Sequence, residues 1–101
     1  MQRMNADAPV ALETLLQHAL SARAGGDSDA ALAAAERVLG VDGRNVLGAI
    51  LKGDALAARG DARSASSFYG AALASAQQRG ADPELKGELR RVQQALADMR
   101  R

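Results

Sequence analysis

A gapless self-similarity at an offset of 34 residues constrains this 101-residue chain more than any other feature. Gly26-Asp27 is followed by Ala31, Leu32 and Val38-Leu39; at the same offset, Gly60-Asp61 is followed by Ala65, Ser66 and Ala72-Leu73. Leu15, Ala19 and Ala22 shift onto Ala49, Gly53 and Leu56 by the same step. Self-similarity at such a period marks a stacked-repeat architecture, in which one unit cannot bury its apolar face alone and a neighbour completes the core.

Each unit reads as a helix, a Gly-Asp turn and a second helix. Roughly a quarter of the chain is alanine, the best helix former, while the β-branched and aromatic residues a sheet requires are scarce. The fold class is therefore all-α. The first helix is expected from about Pro9 to Ala24, with Asp7 near its start, and the second from Asp27 or Ser28 to about Val41. Asp42-Gly43 forms a turn, Asn45 caps a third helix over about Val46 to Arg59, and a fourth covers about Ala62 to Gln78. Gly80-Ala81-Asp82-Pro83-Glu84 combines a helix stop with a helix start, and a fifth helix runs to about Met99. The expected organisation is a flexible N-terminus over 1–8 and one domain over 9–101. That domain holds one repeat at about 12–45, a second at about 46–79, and a capping helix at about 83–99.

The formal net charge is +1 with acids and bases interspersed, which leaves no electrostatic footprint for nucleic acid or a membrane surface. Arg90, Arg91, Arg100 and Arg101 form a local basic cluster interrupted by acids, without aromatic stacking residues among them. There is no cysteine, no apolar run near the ~20 residues of a membrane span, and no apolar stretch of a secretory signal at the start. A cytoplasmic protein is expected, and the arginine and alanine bias points to a GC-rich bacterial genome.

The spacing resembles the tetratricopeptide repeat (TPR) family. In the second unit Lys52-Gly53, Leu56, Ala65, Tyr69 and Ala72 fall on the family's positions, and in the first Leu15, Ala19, Ala22, Ala31, Ala35 and Val38 do. The early Trp is missing from both units, Ala35 stands where an aromatic is usual, and Gly43 and Gln77 replace the terminal Pro. The resemblance implies a helical stack whose first helices line a partner-binding groove, at Glu13, Leu16, Gln17, Leu20 and Arg23, and at Leu47, Ile50, Leu51, Asp54 and Ala57. Glu84, Glu88 and Arg91 would extend that wall. With Leu16, Leu20, Ile50 and Asp54 at these places, the carboxylate-holding specificity of chaperone-binding members does not carry over. An apolar groove with charged edges suits a protein or peptide partner, such as an amphipathic helix.

The last helix carries Leu85, Leu89, Val92, Leu96 and Met99 at spacings of four and three, a narrow apolar seam. It is expected to cover the open side of the second unit, and it is also a candidate homodimer interface. Phe68 and Tyr69, the only aromatics, are expected at the centre of that unit.

No residue set points to chemistry. His18 is the only histidine, with no second His or Cys for a metal site. Asp27-Ser28-Asp29 begins like a calcium loop, but Leu32 and Val38 stand where its glycine and glutamate belong. No strand precedes a glycine-rich turn, and the serines have one histidine to share. Glu84 and Glu88 read as solvated helix surface with Arg91 nearby. Neither catalytic residues nor a cofactor are expected. Leu51-Lys52-Gly53-Asp54, Arg59-Gly60-Asp61, Phe68-Tyr69 and Ala71-Ala72-Leu73 also resemble the repeat region preceding the catalytic domain of bacterial aspartyl/asparaginyl β-hydroxylases. That resemblance implies a scaffold role within a larger enzyme, whose iron-binding histidines these residues do not supply.

Overall fold

The structure, a computed structural model, describes residues 11–100. They form helices α1 (Leu12–Ala24), α2 (Ser28–Val41), α3 (Val46–Ala58), α4 (Ala62–Arg79) and α5 (Lys86–Met99), with a 3-10 turn at Pro83–Leu85 ahead of the last. Among the described residues there is no strand, so the all-α expectation holds. The expected flexible segment 1–8, Asp7 and Pro9 lie outside the described residues. Ala11 is extended (φ −60°, ψ 144°), so the first helix starts at Leu12 instead of running on from Pro9.

The helix starts are set by short acceptor side chains. Asp27 accepts from the Ala30 N–H at 3.0 Å, Asn45 from Gly48 at 2.7 Å, Asp61 from Ser64 at 3.1 Å, and Asp82 from Glu84 at 3.0 Å. Each satisfies a backbone donor that the first helical turn leaves open. The two Gly-Asp turns are alike in detail. Gly26 and Gly60 adopt φ of 76° and 87°, the left-handed region that glycine enters without a Cβ penalty. Behind them the Asp27 and Asp61 N–H groups reach back to the Ala22 and Leu56 carbonyls at 3.0 and 2.9 Å, closing both helices with a Schellman motif. Leu12 and Val46, Ala24 and Ala58, Ser28 and Ala62 all stand 34 residues apart.

The core lies on both sides of α3. Leu51 is 1% exposed and packs with Ala19 and Ala35 of the first hairpin. Ile50, the preceding residue, is fully buried with Tyr69 and Ala72 of α4 and Val92 and Leu96 of α5. A Cβ on Gly53 would sit 2.6 Å from the Tyr69 ring, so this glycine is the notch that admits the ring. The equivalent place in the first unit holds the alanine pair Ala19 and Ala35. Phe68 departs from expectation: it is half-buried, and Lys52 places its ammonium 4.3 Å from the ring centroid instead.

The seam of α5 is consumed within the chain. Val92 is fully buried and Leu96 is 7% exposed, with Leu89 and Met99 packed against the same cluster and Leu85 half-buried. Of the candidate homodimer seam, Val92 and Leu96 are covered within the chain by α3 and α4, because Ile50 and Tyr69 leave an apolar face that α5 closes.

Candidate functional site

The first helices of the two units pack side by side, and α5 follows α4 so that its first turns come beside α3. On the wall these helices share, Glu13 and Gln17 are exposed, whereas Leu16, Leu20 and Leu47 are half-buried over the cluster of Ala19, Ala35 and Leu51. Ile50 and Leu51 do not line a groove, which corrects their placement. α3 has a hairpin on one side and α4 with α5 on the other, so neighbouring residues enter opposite cores. What remains open is a cleft of about 390 Å³, with Leu16, Val46, Leu47 and Leu85 as its apolar lining. Arg44 stands on the α2–α3 connection, and Asp82 and Glu84 on the α4–α5 connection. Asp42 and Arg79, also at the rim, pair at 3.4 Å.

The other wall residues meet in one ionic cluster. Arg23 of α1 donates to Asp54 of α3 at 2.8 Å and to both oxygens of Glu88 of α5, at 2.7 and 3.2 Å. Arg91 of α5 donates to both oxygens of Asp54, at 2.8 and 3.0 Å, and to Glu88 at 2.8 Å. The Tyr69 hydroxyl of α4 donates to Asp54 at 2.6 Å. Four helices thus converge on two arginines and two carboxylates of zero formal sum. In sequence, Asp54 and Glu88 are 34 residues apart, and Arg23 and Arg91 are twice that.

The Asp54 side chain is 13% exposed and that of Glu88 25%, so these charges are partly withdrawn from water. Hydrogen bonds from Arg23, then from Arg91, bring the Glu88 carboxyl down to about 2 against the opposing effect of burial. Burial first, then the bond to Asp54, pushes the Tyr69 phenol up to about 12. The bond to Asp54 raises Arg91, and the bond to Glu88 raises Arg23. The Arg23, Glu88 and Arg91 side chains are held in their ionised forms, which suits a clasp.

Sequence reasoning put Arg23, Asp54, Glu88 and Arg91 on this wall through the family resemblance and set Arg91 near Glu88, but did not join that pair to Arg23 and Asp54. The Glu88 side chain is only 25% exposed, where a solvated surface was expected. The Tyr69 contact was missed; in the 34-residue frame only the spacing of the charges hinted at it. His18 is exposed on α1. Among the described residues no group of three His, Cys, Asp or Glu is placed to hold a metal ion, and no helix is long and apolar enough to cross a membrane. No protein-family model, curated protein or solved structure matches this chain.

Proposed function

We propose that this chain is a tetratricopeptide-type repeat module that offers its inner wall to a peptide or helix of another protein and performs no chemistry of its own. The repeated helix boundaries and the two matching Gly-Asp turns support the repeat reading. The observation that carries the binding role is the cleft of about 390 Å³, where Leu16 and Leu47 keep part of their apolar surface uncovered between charged banks. An apolar floor with a polar rim is the surface a partner's apolar anchor requires. The charge cluster on the same wall ties α1, α3 and α5 together, which lessens the ordering a partner would have to impose.

Photo-crosslinking from the cleft tests this reading. A benzophenone side chain placed at Leu16 or Leu47 is expected to capture one defined partner, and the same group at Ala33, exposed on α2, is not. Equal capture from all three positions would remove the cleft as the binding surface.

A further inference from the structure

We infer that the occupant of the cleft at Leu16 and Leu47 is a basic segment, one that sets an apolar side chain on those leucines and a lysine or arginine against Asp82 and Glu84. The inference rests on the interaction-module reading above. Its source is the pattern of charges the chain satisfies for itself. Asp54 and Glu88 are paired with Arg23 and Arg91, and Asp42 with Arg79. Two carboxylates at the mouth of the cleft are not matched in this way. Glu84 is exposed and makes no ion pair among the described residues, and Asp82 accepts only the backbone N–H of Glu84. Glu13, exposed three residues ahead of Leu16 on α1, likewise makes no ion pair among the described residues. Against Asp82 and Glu84 stands Arg44, on the opposite bank.

Lysine and arginine suit such a place because their aliphatic stems can lie along an apolar floor while their heads reach a carboxylate at its edge. An acidic segment would bring like charges to Asp82 and Glu84, with Arg44 alone to answer them. Rim charges of this kind govern encounter and selection more than total affinity. The expected signature is therefore a preference between two otherwise matched ligands.

Two fluorescein-labelled amphipathic peptides serve as probes, identical in their leucine face and differing only in carrying lysine or glutamate at the flanking positions. Anisotropy titrations use the full chain, Glu84→Lys, Glu84→Gln and Leu16→Arg, with circular dichroism to verify that each variant is folded. At low salt the lysine peptide is expected to bind roughly tenfold more tightly than the glutamate peptide. Glu84→Gln should reduce this preference, Glu84→Lys should remove most of it, and high salt should shrink it. Equal binding of both peptides, both lost with Leu16→Arg, overturns the basic-segment inference and leaves the groove standing. Failure of both peptides to bind, or binding indifferent to Leu16→Arg, removes the groove reading as well.

Discussion

At the scale of single residues, the pair Gly53 and Tyr69 shows how the second unit differs from the first. An alanine at 53 would be the better helix former by about 1 kcal/mol. Its Cβ would also lie 2.6 Å from the Tyr69 ring, and overpacking of that kind costs about 1–3 kcal/mol. Gly53→Ala is therefore expected to lower stability by about 1 kcal/mol in urea denaturation. In a Tyr69→Ala background the sign should reverse, because the second unit then carries the alanine pair that Ala19 and Ala35 form in the first. A double-mutant cycle with no coupling between the two positions would show that the ring does not depend on the notch. The small residue at 53 and the burial of Tyr69 were legible from the repeat. The hydroxyl's bond to Asp54 was not, because a spacing of 15 residues spans a turn whose geometry only the folded hairpin defines.

At the scale of helices, the turns were the most legible part of the chain, since Gly-Asp encodes a left-handed stop and a side-chain start in two adjacent letters. Asp27 and Asp61 make the same bond at nearly the same length, 3.0 and 3.1 Å. Asp27→Ala and Asp61→Ala should accordingly cost similar amounts, about 1 kcal/mol each, read from the shift in urea midpoint. A cost confined to one of them would mean that the two turns are not energetically alike. Where reading failed, the signals permitted a structure without requiring it. Pro tolerates a first helical turn but does not compel one, and Ala11 is extended. Pro83 and Asp82 announced a helix start, yet its first turn is 3-10, with the Leu85 N–H on the Asp82 carbonyl at 2.8 Å. Periodicity also could not say that Ile50 and Leu51 serve opposite sides, because an apolar run on a central helix looks the same whether one face or two are covered.

For the molecule as a whole, the ionic cluster links stability to pH. The Glu88 carboxyl falls from an ordinary 4.5 to about 2 in the folded chain, so the folded state favours its ionised form. Its contribution is complete above pH 4.5 and is lost as pH drops through that value towards 2. Allowing for solvent screening at a part-exposed group, the contribution is about 1 kcal/mol. Wild type and Glu88→Gln should differ by this amount at neutral pH and converge near pH 2 in urea titrations. A difference that stays constant with pH would assign the loss to packing instead of charge. The placement of neighbouring residues Ile50 and Leu51 in separate cores has a kinetic consequence. α3 supplies a side chain to each core, so undocking α3 exposes apolar surface in both units at once. Amides in both hairpins should then exchange with solvent through one global opening, and the chain should behave as one cooperative foldon although its sequence is written twice.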